Sequence, residues 1–295
     1  MSKPITLGHS PDPDDAFMFY ALAAGKIDSL GYDFEHVLQD IQTLNERATR
    51  GELDITAVSI HAYAYVLDQY ALLPSGASMG DNYGPMLVTR DPISAMSDDQ
   101  ARTYLKGKKI AIPGTLTSAF LALQLFMGSP LKKEASADLP HFVVVPFDQI
   151  FDALREGKAD VGLIIHEGQL TYGAEGFHLL TDLGKWWFRD TAGLPLPLGG
   201  NVIHKRFPVD ERRTLSRLMT ESIQYSLGNR APAVEHSLKY GRGLDTTLAD
   251  KFVGMYVNEL TVDYGDRGRA AIREFLGRAH KMGLIPAPVA LEFVD

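Results

Sequence analysis

The 295-residue chain has no cysteine. Disulfides and thiolate metal sites are therefore excluded, and a reducing compartment is expected. No apolar run approaches the roughly 20 residues of a membrane-spanning helix, so no membrane insertion is expected. Met1 to Leu7 runs straight into a strand-like segment, with no charged-then-apolar leader and no cleavage site. A soluble, cytoplasmic protein is expected. Basic clusters are missing as well. With a formal charge of -8, nothing attracts phosphate backbones, and nucleic acid is not an expected partner. There is no Gly-x-Ser-x-Gly elbow, phosphate-binding loop or dinucleotide fingerprint. His166-Glu167 begins like a zinc-protease helix, but Leu170 stands where the second histidine belongs. His9, Asp12, Asp14 and Asp15 lack the spacing of a calcium loop. They read as a solvated, capping group, and no metal is expected.

What is present is an ordinary globular mixture, 45% hydrophobic and 22% charged, long enough for about two domains. Strand and helix patterns alternate along most of it. Ile5 to Gly8 is a short strand, and Asp12 as N-cap with Pro13 at the first helical position starts a helix. Tyr32 to Leu38 is a strand, Ile41 to Arg50 a helix closed by Gly51, and Asp54 to Val58 a strand. Ser59 then caps a helix over Ala62 to Leu67. A second series follows. It comprises strands at Leu87 to Thr89, Lys109 to Ile112 and Phe142 to Val145, and helices at Thr115 to Phe126 and Gln149 to Glu156. The strand Asp160 to Ile165 completes it. Trp186-Trp187 and Leu194 to Gly200 read as a crossover too rich in proline and glycine for either regular element, with Asn201 to His204 as the returning strand. From Asp210 onward the pattern is helical. Leu215, Leu218, Met219, Ile223 and Leu227 share one face, as do Phe252, Met255, Tyr256 and Leu260.

There is also an internal echo. Arg50 to His61 and Glu156 to His166 share one plan: helix, glycine, two residues, aspartate, apolar strand, histidine. Two similarly wound lobes would produce it, although any glycine-terminated αβ unit has some of this form. The order of elements predicts an α/β protein. Lobe I takes residues 1–90 plus 200–295 and lobe II residues 91–199. Two lobes with two crossings and a ligand cleft between them are the plan of the type II periplasmic-binding fold.

His166 stands at the carboxyl end of its strand, the edge where open α/β sheets bind ligands. An imidazole there suits proton transfer near neutrality, or it is simply a histidine satisfied by a backbone carbonyl. Thr115, Thr117 and Ser118 cluster at a helix start, where hydroxyls and backbone amides hold a carboxylate or phosphate unless one hydroxyl merely caps the helix. Ser59 occupies a similar turn, with capping as the simpler role. The start from Ser10 to Asp15 carries acids that repel an anion, and it suits a hydroxyl or an amine. Packing is the expected role of Trp186 and Trp187.

Five stretches taken together resemble the 1,4-dihydroxy-6-naphthoate synthase family of the futalosine route to menaquinone. They are Ser10-Pro-Asp-Pro-Asp-Asp-Ala-Phe17, Val58-Ser-Ile-His-Ala-Tyr63, Ile112-Pro-Gly-Thr115, Gly162 to Tyr172, and Asp182-Leu-Gly-Lys-Trp-Trp187 with Gly193-Leu-Pro-Leu-Pro-Leu-Gly199. The likeness runs from about residue 5 into the C-terminal helices. Its most specific parts are Ile-His-Glu with Thr-Tyr following, and the Trp-Trp to Leu-Pro-Leu-Pro-Leu-Gly stretch. The resemblance implies conversion of cyclic dehypoxanthinyl futalosine to 1,4-dihydroxy-6-naphthoate, with release of a sugar-derived fragment and without a metal or organic cofactor. It implies that His166 is the catalytic base. It also gives Ser59, Thr115 and Thr117, with Ser10, Asp14 and Ser118, the task of binding a small-molecule carboxylate substrate. The chain departs from the family pattern Ser-Pro-Cys-Pro-Asn-Asp-Thr-Phe at Asp12, Asp14 and Ala16, and from Ile-His-Glu-Ser at Gly168. Asp14 replaces a neutral amide by a carboxylate, and Ala16 removes a hydroxyl. The rival readings on the same fold are the sister enzyme that dehydrates chorismate and a non-catalytic solute-binding protein.

Overall fold

The computed structural model describes residues 3–240 and 245–295. The chain divides into two compact units. Unit 1 takes Met1–Met79, Pro197–Arg273 and Val289–Asp295, and unit 2 takes Gly80–Leu196 and Glu274–Pro288.

The chain begins unit 1 with β1 (Lys3–His9), α1 (Pro13–Met18), α2 (Tyr20–Ala23), β2 (Tyr32–Leu38), α3 (Ile41–Thr49), β3 (Ile55–Ser59), α4 (Ile60–Tyr63), β4 (Tyr70–Leu72) and β5 (Ser78–Gly80). Unit 2 follows with β6 (Met86–Thr89), α5 (Asp98–Leu105), β7 (Lys109–Ile112), α6 (Ser118–Met127), β8 (His141–Val144), α7 (Ile150–Arg155), β9 (Val161–Ile164), α8 (Gly168–Thr171), β10 (His178–Asp182) and α9 (Leu183–Asp190). β11 (Leu196–His204) then returns to unit 1. The helices α10 (Val209–Gly228), α11 (Arg230–Ser237), α12 (Thr246–Tyr256), α13 (Glu259–Val262) and α14 (Gly265–Lys281) follow it. No described helix is long and apolar enough to cross a membrane.

Unit 1 is built on a sheet of order β2-β1-β3-β11-β4, with β5 beside β11. β1, β2 and β3 run parallel, and β11 runs against β3 and β4. Ile5, Leu7 and Ile55 from these strands pack with Phe17 and Met18 and with Leu215, Leu218, Met219 and Ile223 of α10. That stripe at three- and four-residue spacing is what commits α10 to the sheet. Unit 2 has the order β10-β6-β9-β7-β8, with β7, β8 and β9 parallel and β6 antiparallel to β9. Val88, Ala111, Ile150, Leu154 and Ile164 form its core.

The echo in the sequence has a physical basis in each unit. Gly51 and Gly157 end their helices at φ +65° and +71°, a left-handed conformation that only glycine adopts without steric cost. Three residues on, each aspartate ties its incoming strand to the parallel neighbour. Asp54 accepts from the Thr6 amide and hydroxyl, both at 2.9 Å, and Asp160 accepts from the Lys109 amide at 2.8 Å. The repeated motif is thus a device for starting a parallel pair.

Several expectations need correction. Trp186 and Trp187 lie in α9, which Asp182 caps by accepting from the Gly184 and Lys185 amides. β11 begins at Leu196 despite Pro197, which lies outside the ladder with β3 because that ladder starts only at Gly199. β4 and β5, three residues each, are too short for a periodic signal, and β10 (His178–Asp182) is a strand absent from the expected series. α4 starts at Ile60 and ends at Tyr63, and α6 starts at Ser118. The apolar face placed across Phe252 to Leu260 is broken after Tyr256, where α12 ends and Asn258 caps α13. The C-terminal residues are not helical, since Leu72 donates to the Glu292 carbonyl and accepts from the Val294 amide. Residues 274–288 belong with unit 2, where Phe275 meets the edge of Trp187 at 5.4 Å.

Candidate active site

In unit 2 the site is built on the carboxyl ends of β7, β8 and β9. Ala111 stands opposite both Val143 and Gly162 in these parallel ladders. Thr115, Phe147 and His166 each come four residues after those partners. Parallel pairing therefore delivers all three to one edge of the sheet. β9 itself is buried throughout, which anchors whatever follows it.

His166 is half-buried and adopts φ +55°. Non-glycine residues rarely occupy this region, and a non-glycine residue there costs on the order of 1–3 kcal/mol. The turn is closed by the His166 carbonyl, which accepts from the Gln169 amide at 3.1 Å. Its ring meets Phe147 edge to face, with centroids 4.9 Å apart. Strained backbone plus aromatic buttress holds the imidazole in one place, as a group that transfers protons requires.

The three hydroxyls at the start of α6 are not equivalent. Thr117 is its N-cap, accepting from the Phe120 amide at 3.2 Å and donating to the Gly114 carbonyl at 2.9 Å. Its hydroxyl is occupied by that local structure. Thr115 is half-buried and precedes the helix, and Ser118 is its buried first residue.

In unit 1, β1, β2 and β3 likewise end at one edge. Ser10 follows β1, and Ser59 ends β3 with the N-cap conformation of α4 but without a side-chain capping bond. Ser59 is held instead by Asn45 of α3. Its amide donates to Asn45 Oδ1 at 2.8 Å, and its Oγ accepts from Asn45 Nδ2 at 3.0 Å. Asn45 carried no signal in the sequence, because a helical asparagine gives no hint of the strand it faces. His61, the first histidine of the echo, is buried in α4 with its ring 5.7 Å from Tyr65.

The loop from Ser10 to Asp15 is the largest departure from expectation. Asp12, Asp14 and Asp15 are only 2%, 8% and 8% exposed, so they are not a solvated group. Asp12 has the N-cap conformation without a side-chain cap, and it is Asp15 that accepts from the Ser10 amide, at 2.6 Å. Burial, then Asp14 and Asp12, hold the Asp15 carboxyl well above the usual carboxylate range. Beside the loop, His9 Nε2 lies 2.9 Å from Nδ1 of His36, a pairing that the sequence did not reveal. Burial and the neighbouring His36 push His9 down to about 3 against the Ser10 carbonyl. Among the described residues, no group of three or more histidines and carboxylates is gathered for a metal ion.

Trp186 and Trp187 take no part in this edge. Trp187 donates to the Pro195 carbonyl at 3.0 Å and packs on Phe275, and Trp186 meets Phe126 at 5.4 Å.

A family model described as menaquinone biosynthesis matches residues 5–281. The chain belongs to the menaquinone biosynthesis family. Within it, the chain is 35% identical to the 1,4-dihydroxy-6-naphtoate synthase of Streptomyces coelicolor, covering 98% of both chains. It is 34% identical to the enzyme of the same name from Thermus thermophilus, covering 96% of this chain and 97% of that one. A solved structure from Archaeoglobus fulgidus is similar at TM-score 0.85 with 41% identity, covering 96% and 98% of the two chains. The alkanesulfonate-binding protein SsuA of Xanthomonas axonopodis matches at TM-score 0.69 with 12% identity, over 98% and 97% of the chains. The menaquinone family member described here thus has the periplasmic-binding-protein type of α/β fold.

Proposed function

We propose that this chain is a 1,4-dihydroxy-6-naphthoate synthase, a lyase that converts cyclic dehypoxanthinyl futalosine to 1,4-dihydroxy-6-naphthoate in the cytoplasm. Similarity to two synthases of that name over nearly the whole chain supports the reaction. The observation that carries the mechanism is His166, an imidazole held at positive φ at the end of a buried strand and braced by Phe147.

In this reading His166 removes a proton from the sugar-derived ring. The C–H electron pair forms a double bond as the neighbouring C–O bond breaks, and ring opening with loss of the sugar-derived fragment leaves the aromatic product. Aromatisation drives the reaction, so the protein has to orient the substrate, accept a proton and limit water. The substrate carboxylate is bound by hydroxyls and amides. Thr115 and Ser118 are the candidates in unit 2, where Thr117 shapes the turn, and Ser59 is the candidate in unit 1. Ser10 and Asp14 face the hydroxyl-bearing part of the molecule, because a carboxylate beside buried acids would be repelled.

The test is incubation of purified protein with cyclic dehypoxanthinyl futalosine and detection of 1,4-dihydroxy-6-naphthoate by mass. Formation of the naphthoate is expected. Dehydration of chorismate in its place, or release of unaltered ligand, would assign the chain to another activity.

A further inference from the structure

A single carbonyl sets the protons of the two imidazoles near the carboxyl ends of β1 and β2. His9 Nδ1 lies 3.1 Å from the Ser10 carbonyl oxygen. A carbonyl only accepts, so this nitrogen carries the ring proton. His9 is neutral, as its burial requires, and its Nε2 therefore presents a lone pair. His36 Nδ1, 2.9 Å away, must donate to it. With its proton on Nδ1, His36 is left with a lone pair on Nε2. That atom is buried and meets no hydrogen-bond partner among the described residues.

An acceptor in this state is costly unless something donates to it. His36 lies in β2 opposite Leu7 of β1, two residues before the end of its strand, on the sheet edge that also carries Ser10 and Ser59. The remaining titratable group that acts on both rings is His236 of α11, itself lowered by burial and by Lys239. A second imidazole beside the pair disfavours a protonated His36, so burial and charge both keep Nε2 unprotonated, as an acceptor. The complementary group cannot be the substrate's carboxylate, which only accepts. It has to be a hydrogen-bond donor, and a neutral one suits a buried site better than a charged one.

We infer that His36 Nε2 is a substrate-recognition acceptor that takes a hydrogen bond from a hydroxyl of the sugar-derived ring, with its tautomer set by His9. This rests on the reaction proposed above. His36 is a positioning residue here, distinct in role from His166. The arrangement also gives the buried polar loop after β1 a purpose, since it keeps an anion away while a hydroxyl is admitted.

Two substitutions separate recognition from structure. In His36→Asn the amide nitrogen replaces Nδ1 and still donates to His9, but nothing stands at Nε2. In His36→Gln the longer side chain returns an acceptor oxygen to that position. Binding of cyclic dehypoxanthinyl futalosine is measured by calorimetry with both changes in a His166→Ala background, which cannot turn the ligand over, and kcat and KM are measured in the wild-type background. We expect His36→Asn to weaken binding about tenfold and to raise KM far more than it lowers kcat. His36→Gln should restore binding to within about threefold. Undiminished binding by His36→Asn, in a protein whose parent makes the naphthoate, would overturn the inference and leave the reaction standing. Failure of the wild type to make naphthoate would remove the reaction and this inference together.

Discussion

Asn45 and Ser59, fourteen residues apart, exchange two buried hydrogen bonds, one in each direction. Because Ser59 Oγ accepts from Asn45, its own hydrogen is directed away from the asparagine, which is the orientation a carboxylate would use. Asn45→Ala strands the buried Ser59 amide, and loss of such a partner costs about 1–3 kcal/mol. We expect about 2 kcal/mol of destabilisation in urea unfolding and a raised KM. An unchanged unfolding midpoint would show that α3 and β3 are held by packing alone.

His166 carries opposite demands on stability and on chemistry. Replacement by glycine removes the steric cost of φ +55°, on the order of 1 kcal/mol, and removes the base. His166→Gly should therefore unfold at higher denaturant while kcat falls at least a hundredfold. His166→Asn tolerates the same backbone conformation and should lose activity without the full gain in stability. Retention of more than a tenth of wild-type kcat by either variant would remove His166 from the mechanism.

Two glycines of the same segment should respond differently. A Cβ on Gly162 would lie 2.7 Å from Ile150 Cγ2 and 3.0 Å from Leu154 Cδ1, where α7 packs on β9. Overpacking of this kind costs roughly 1–3 kcal/mol, so Gly162→Ala should be less stable by about that amount. On Gly168 the nearest atom would be Phe151 Cζ at 3.5 Å, an ordinary contact. Gly168→Ser, which restores the residue usual in the resembled pattern, should fold within about 0.5 kcal/mol of wild type. Thermal melts of the pair decide this, and equal losses would contradict the packing argument.

The pH dependence of stability has two opposed limbs. Asp15 keeps its proton in the folded chain above the carboxyl's ordinary value of about 4. The native state then binds more protons, so stability is fully present below about pH 4 and declines as pH rises toward the raised value. His9 is lowered to about 3, so its contribution is present above about pH 6.5 and is lost as pH falls from there toward 3. Asp15→Asn retains an oxygen for the Ser10 amide and removes the first limb. Relative to wild type it should gain stability from pH 4 upward, by at most about 1.4 kcal/mol per pH unit, and keep the acid limb. Parallel urea-unfolding profiles for the two proteins would show that Asp15 is ionised in the fold.

The alternation of strand and helix, the glycine stops before Asp54 and Asp160, and the arrival of His166 at a strand's end were all legible in the sequence. Each depends on a few adjacent residues: an apolar period, a glycine free to take positive φ, a cap. The two units differ in what they made of the echo. One histidine, His61, is buried in a helix, and the other, His166, stands in a left-handed turn, because the second copy reaches its histidine one residue sooner.

Tertiary structure alone decided the rest. His9 meets His36 across 27 residues only because β1 and β2 become neighbours in a particular register. Asn45 finds Ser59 only because α3 lies against β3, and the acids of residues 12–15 are buried only because α1 packs under α11 and α12. Trp187 became part of a core through Phe275, nearly ninety residues later. Local order follows from torsion preferences and periodicity within a few residues. Partners, burial and proton positions follow from which distant segments come into contact, and no short stretch of sequence encodes that.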